Sequence, residues 1–165
     1  MNLEQMKQAN LDKAHDLVVQ ATANNKTIGT AESCTGGLVS GTITAISGSS
    51  ASMMGGIVSY ACSVKRDVLK VKQATLDSVG AVSSECAHEM CEGARQVLNC
   101  DVAVSITGIA GPTGAVPGKP VGTVWFGVTD GTNTTTYLKH FLGDRDLVRE
   151  QSVSFALDLL LENTK

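Results

Sequence analysis

Apolar residues at helical spacing open the chain: Leu3, Met6, Leu11, Ala14, Leu17, Val18 and Ala21 share one face, and Asn24-Asn25 ends the pattern. A short strand is predicted over Thr27–Ser33, running into a Thr35-Gly36-Gly37 turn. Leu38, Val39, Ile43 and Ile46 then continue as a helix closed by Gly48-Ser49-Ser50. Gly56–Ala61 reads as a second strand, followed by a short helix at about 63–69 and a longer one over Ser83–Leu98. The longer helix gathers Ala87, Met90, Cys91, Ala94 and Val97. Asp101–Thr107 is β-branched and largely apolar, the signature of a central strand buried on both faces. A Gly/Pro loop fills residues 108–120. Val121–Thr129 and Thr134–Phe141 flank Asp130-Gly131 as a hairpin, and Asp144–Glu162 closes the pattern as a helix with Leu147, Val148, Phe155, Leu159 and Leu160.

Helices alternating with strands, then a hairpin, then a helix, predict an α/β fold. The expected architecture is a three-layer α/β/α sandwich around a mostly parallel mixed sheet of about five strands, with one antiparallel neighbour. No repeat or linker divides residues 1–165, so a single domain is expected. Ligands of such folds bind beyond the carboxyl ends of the strands. The ends to inspect are Ser33, Tyr60-Ala61 and Thr107-Gly108.

Composition narrows the function. The net charge is −3 and aromatics make up 4% of the 165 residues, a poor basis for binding nucleic acid by charge or by stacking. No run approaches a membrane span and the polar first residues show no signal-peptide core. The five cysteines are odd in number and form no C-x-x-C pair, which argues for buried thiols in a reducing cytoplasm and against a zinc site. No membrane or nucleic-acid partner, no metal and no cofactor is expected. A symmetric homo-oligomer is expected from general frequency alone.

Three segments carry candidate chemistry. Ala31-Glu-Ser-Cys-Thr-Gly-Gly37 joins a strand to a helix, where free backbone N–H groups can cradle an anion or oxyanion and Ser33 can act as nucleophile. The same residues would also serve as an ordinary helix cap with turn glycines. Neither a Walker A sequence nor G-x-G-x-x-G is present. His15, His88 and His140 do not follow strand ends that face Ser33, and no G-x-S-x-G surrounds it, so a Ser-His-Asp triad is disfavoured. Tyr60 ends the second strand and Lys65 lies on the following helix; a lysine in an apolar crevice can lose its proton and serve as a base, with Tyr60 relaying the proton or holding an oxyanion. Beside Arg66, Lys65 could equally belong to a solvated face. The third strand end leads into the loop that confines all three prolines, Pro112, Pro117 and Pro120. There Thr107 presents a hydroxyl, Gly108 allows close backbone approach, and Lys119 could carry a phosphate. Arg145 sits in the first turn of the last helix, against the dipole, where an anionic ligand or Asp144 and Asp146 would satisfy it.

Taken together, Thr30-Ala-Glu-Ser-Cys-Thr-Gly-Gly37, Gly56-Ile-Val-Ser-Tyr-Ala-Cys-Ser-Val-Lys65, Gly80-Ala-Val-Ser83, Ser105-Ile-Thr-Gly-Ile-Ala-Gly-Pro112 and Lys119-Pro-Val-Gly-Thr-Val124 resemble the C-terminal domain of the competence/damage-inducible CinA family. Gly143-Asp-Arg-Asp146 with Val148-Arg149 resembles the family's stand-alone nicotinamide-nucleotide amidases. The resemblance covers about residues 27–160 and includes nothing of the N-terminal domain of two-domain members. It implies hydrolysis of nicotinamide mononucleotide to nicotinate mononucleotide and ammonia, a step of pyridine-nucleotide salvage, in the bacterial cytoplasm. By the same resemblance Ser33 is the nucleophile, Lys65 and Tyr60 activate it, and Thr107 lines the site. Arg145 binds substrate, with Thr35, Gly36, Gly37, Gly108 and Lys119 as further substrate-binding positions. The loop departs from the family's frequent Gly-Pro-x-Gly-Gly at Ala115, where a Cβ would be strained if the backbone used positive φ. After Tyr60, Ala-Cys-Ser-Val replaces a more polar stretch. These departures leave open an alternative, a catalytically weak paralogue serving as a nucleotide-binding module.

Overall fold

A computed structural model describes all of residues 1–165. Helix α1 (Leu3–Ala23) begins in a capping box: the Asn2 side chain accepts from the Gln5 N–H, and the Gln5 side chain accepts from the Asn2 N–H. Strand β1 (Ile28–Glu32) is buried along its whole length. It is followed by α2 (Leu38–Thr44), a single 3₁₀ turn (Ser49–Ala51) and β2 (Met53–Val58). Two short helices, α3 (Cys62–Asp67) and α4 (Gln73–Ser78), lead to α5 (Ser84–Leu98), whose N-cap Ser83 accepts from the Cys86 N–H. Strands β3 (Val102–Gly108), β4 (Thr123–Thr129) and β5 (Thr134–His140) precede α6 (Arg145–Asn163).

The strands form one sheet in the order β2-β1-β3-β4-β5. β1 pairs parallel with β2 and β3, whereas β4 pairs antiparallel with both β3 and β5. The sheet is therefore mixed, with β4 alone running against the other four strands, as the alternation of elements predicts. The β4–β5 turn is held by Asp130, whose Oδ1 accepts from the Thr132 and Asn133 N–H groups.

Strand alternation divides the core. Val102, Val104 and Ile106 of β3 and Val124, Phe126 and Val128 of β4 pack with Leu17, Val153, Leu157 and Leu160 in the layer of α1, α2 and α6. Ala31 and Ala103 face Met90, Cys86 and Ala94 of α5 on the other side. Helices on both faces complete the three layers. The approach of α5 is close: a Cβ on Gly127 would meet the Ala87 carbonyl, and the Ser105 hydroxyl donates to that same carbonyl at 2.6 Å. Helix α1 fixes α6, because Asn10 Nδ2 donates to the Glu150 carbonyl and carboxylate, and Gln20 Nε2 donates to the Leu161 carbonyl. No helix is long and apolar enough to cross a membrane.

Candidate active site

Residues of β1 alternate in facing, so Glu32 and Ser33 leave the strand end on opposite sides. Ser33 is 8% exposed, and its N–H donates to the Ile106 carbonyl at 2.9 Å, which ties the turn to β3. Lys65 of α3 is 1% exposed and is the largest fully buried side chain in the molecule. Its Nζ lies 3.0 Å from Ser33 Oγ and donates to the carbonyls of Ser59 and Tyr60, each at 2.8 Å. No carboxylate pairs with it. Burial therefore disfavours the ammonium and holds the Lys65 pKa below the ordinary lysine value. A neutral amine has two N–H donors and one lone pair. As an ammonium it donates to both carbonyls and to Ser33 Oγ; once deprotonated, with the two carbonyls still taking its donors, its lone pair is left for the serine hydroxyl.

The cleft around this pair has a volume of about 310 Å³. Ser33, Cys34, Tyr60, Lys65, Thr107, Gly108 and Arg145 all line it, and the Ile109–Gly114 loop supplies most of the facing wall. Thr107 is buried, and its hydroxyl donates to the Ala81 carbonyl at 2.9 Å, leaving lone pairs able to accept from a ligand. Arg145 is exposed at the mouth and donates from Nη1 to the Gly111 carbonyl at 2.8 Å. Tyr60 also lies at the mouth, 64% exposed, and holds Lys65 through its main-chain carbonyl; its phenol has no hydrogen-bond partner.

Other sequence-predicted positions fall elsewhere. Lys119 is not part of the cleft, since its Nζ donates to the Val79 carbonyl at 2.7 Å. Gly36 and Gly37 lie on a separate groove with Leu38 and Gly41, behind the turn. Their N–H groups are already used: that of Gly36 donates to the Ser33 carbonyl at 3.0 Å and that of Gly37 to Glu32 Oε1 at 3.2 Å. Neither glycine offers a free donor to an anion. Thr35 is fully buried outside the cleft wall, with a hydroxyl that has no partner, although its N–H is not donated to any protein group. Ala115 is not among the residues with positive φ, so the departure at that position carries no backbone strain; Gly111, Gly114 and Gly118 take the left-handed conformations instead.

Two residues without a role in the sequence reading complete the turn. Glu32 is fully buried; Oε1 accepts from the Gly37 and Val39 N–H groups and Oε2 from that of Ser40. Arg149 reaches from α6, its Nε donating to the Cys34 carbonyl at 3.0 Å and its Nη2 to the Thr35 carbonyl at 3.2 Å. Signals for both existed: Glu32 is the one charge in a strand of small and apolar residues, and Arg149 follows Arg145 by one helical turn. Cys34, adjacent to Ser33, is no rival nucleophile, because burial pushes its thiol pKa up to about 11 and leaves almost no thiolate near neutrality.

Comparison with known proteins places the chain in a family. The CinA C-terminal domain model matches residues 10–164. A CinA-like protein of Leptospira borgpetersenii serovar Hardjo-bovis (strain L550) is 49% identical over 140 residues, spanning 84% of this chain and 34% of the relative. One from Thermotoga neapolitana is 41% identical over 157 residues, spanning 94% and 38%. The chain thus spans about a third of the length of these curated relatives. The crystal structure of the competence/damage-inducible protein CihA from Agrobacterium tumefaciens superposes with a TM-score of 0.91 at 36% identity, covering 94% of this chain and 96% of that one. The chain belongs to the CinA C-terminal domain family, with the three-layer mixed-sheet fold of its solved members.

Proposed function

We propose that the protein is a serine–lysine amidohydrolase that removes ammonia from the carboxamide of nicotinamide mononucleotide. The observation that carries this reading is the buried amine of Lys65, without a counter-ion, 3.0 Å from a serine hydroxyl at the floor of a cleft. Structural ion pairs elsewhere in the molecule are at least partly solvated, as in Lys13–Asp158 and Arg66–Asp67. A lysine whose ammonium is disfavoured by burial has use as a base.

In the first half-reaction Ser33 Oγ attacks the carboxamide carbon while Lys65 Nζ takes the hydroxyl proton. The developing oxyanion faces the N–H groups of Cys34 and Thr35, the two in the turn that no protein group occupies. Lys65 then gives its proton to the departing nitrogen; the C–N bond breaks, ammonia leaves and an acyl ester remains on Ser33. Water, deprotonated by Lys65, attacks that ester, and the amine returns the proton to Ser33 Oγ as the carboxylate leaves. The carbonyls of Ser59 and Tyr60 bind the amine in both protonation states, so no side chain has to rotate. Thr107, its proton committed to Ala81, can accept from the carboxamide NH₂, a contact that the product carboxylate lacks. Arg145 at the mouth is the cation placed to meet the phosphate.

The cleft volume sits at the lower end of the range for small-molecule sites, consistent with a single nucleotide. The ordinary backbone at Ala115 removes the strain that motivated reading the chain as a weak, nucleotide-binding paralogue. The decisive experiment is ammonia release from nicotinamide mononucleotide by the wild type and by Ser33→Ala. Turnover is expected in the first, with a loss of roughly ten-thousand-fold in the second. Undiminished turnover by Ser33→Ala would exclude the mechanism, and tight binding without turnover by the wild type would restore the binding-module reading.

A further inference from the structure

The turn after Ser33 has an unusual distribution of used and unused peptide groups. Four consecutive peptide planes run from Ser33 to Gly37. In the Ser33–Cys34 plane the carbonyl accepts from Gly36, while the Cys34 N–H has no protein partner. In the Cys34–Thr35 plane the carbonyl accepts from Arg149 Nε at 3.0 Å, while the Thr35 N–H has no protein partner. In the Thr35–Gly36 plane both ends are used: the carbonyl accepts from Arg149 Nη2 at 3.2 Å and from the Leu38 N–H at 3.0 Å, and the Gly36 N–H goes to the Ser33 carbonyl. In the Gly36–Gly37 plane the N–H goes to Glu32. The only cis peptide in the chain is Gly111–Pro112, so all four are trans and each N–H points opposite to its own carbonyl.

A grip on the Cys34 carbonyl therefore aims the Thr35 N–H away from α6. The Thr35 carbonyl is held jointly by Arg149 and by the Leu38 N–H, so the grip specific to Arg149 is the one on the Cys34 carbonyl. Arginine suits the task because its planar fork reaches two acceptors at once from a fixed distance. Gly36 supplies the positive φ of 58° that the turn takes beneath Arg149. Glu32 holds the far side of the same turn by taking the Gly37, Val39 and Ser40 N–H groups, leaving Cys34 and Thr35 as the only unspent donors beside the nucleophile.

We propose that Arg149 is a positioning residue, which keeps the oxyanion hole of Ser33 formed by holding the carbonyls of Cys34 and Thr35. This rests on Ser33 being the nucleophile of the reading above, but not on which amide is the substrate. Arg149 does not line the cleft, so its effect lies in the transition state and not in substrate binding.

The test follows the rate at which a fluorophosphonate probe, whose attack also develops an oxyanion, labels Ser33 in the full chain, read by intact mass. Wild type, Ser33→Ala, Arg149→Ala and Arg149→Lys are compared, with thermal midpoints as a check on folding. Labelling of the wild type at Ser33 and none of Ser33→Ala establishes the nucleophile. Arg149→Ala is expected to label about ten- to a hundredfold more slowly, with the pH midpoint set by Lys65 unmoved and with partial recovery in millimolar guanidinium. Arg149→Lys, which keeps the charge and loses the fork, is expected to stay slow. Where the amide is turned over, kcat is expected to fall with KM nearly unchanged. Equal labelling rates in Arg149→Ala and wild type, or a defect confined to KM, would overturn the assignment. A slow defect that shifts the pH midpoint, or one that guanidinium cannot relieve in a fully folded variant, would overturn it as well, by making Arg149 merely structural. A wild type that labels at Ser33 yet releases no ammonia would refute the amide reading while leaving Arg149 tested; a wild type that does not label would refute both.

Discussion

At the scale of single residues the chemistry depends on one proton. Lys65 has a buried amine that donates to two carbonyls and lies 3.0 Å from the Ser33 hydroxyl, to which it can donate as an ammonium and from which it can accept once neutral. Burial lowers its pKa, so a larger fraction is neutral near physiological pH than for a lysine in water. Activity should therefore rise with pH as Lys65 loses its proton, along a limb whose midpoint lies below the ordinary lysine value. A kcat–pH profile on the wild type measures that midpoint; Lys65→Ala should lose the limb together with most of the rate. A midpoint at the ordinary lysine value would mean that the amine is solvated and the dyad does not operate. Cys34 shows the opposite consequence of the same burial: an acid made weaker is a nucleophile withheld, and a thiol at about 11 leaves the reaction to its neighbour.

At the scale of elements, the turn between β1 and α2 is set by a carboxylate and not by a side-chain cap, since N-cap Gly37 has none. Glu32 accepts three backbone N–H groups, two on Oε1 and one on Oε2. Glu32→Gln would turn an NH₂ toward one of those donors. It should cost about 2–3 kcal/mol of stability, the worth of hydrogen bonds to a charged group, measured by denaturant titration. An unchanged midpoint would show that solvent satisfies the α2 N-terminus without Glu32. This is also where reading the chain reached its limit. The long helices carry apolar residues at helical spacing and β3 carries a continuous apolar run, and their predicted positions agree with the structure within a few residues. Helix α4 has no pattern to read, because none of its residues is buried. Strand β2 starts at Met53, earlier than Gly56, because the preceding 3₁₀ turn is too short to leave a periodic trace. Lys65, in the last turn of α3, was left by its spacing between a base and a solvated face, whereas Ser33, Thr107 and Arg145 were legible because each sits at a strand end or a helix start, where the fold class itself directs attention. The spending of the Gly36 and Gly37 N–H groups on Ser33 and Glu32 was not, since it depends on which face of β1 each neighbour takes. Lys119 was misplaced for a similar reason: a flexible cation in a loop finds the nearest carbonyl, here Val79.

At the scale of the whole molecule, the buried amine links the site to folding. Lys65 is held by β2–α3 main chain and by the end of β1, in a buried place where charging it carries the cost of desolvating an ammonium. Below its folded pKa, Lys65 is protonated in both folded and unfolded states, and the full desolvation cost weighs on the fold. Between that value and the ordinary lysine value, the unfolded chain binds the extra proton, so stability contributed by this group rises with pH. Above the ordinary value the amine is neutral in both states and the cost is gone. Lys65→Met removes the titration and keeps a chain of similar length, while leaving two carbonyls without their donor at every pH. That second effect is a constant offset. The difference in stability between Lys65→Met and wild type should therefore change with pH in the variant's favour at neutrality and shift toward the wild type as the solution becomes alkaline. Parallel denaturant titrations across that range measure it. A pH-independent difference would mean that folding does not perturb Lys65, and the proposed catalysis requires a perturbed amine.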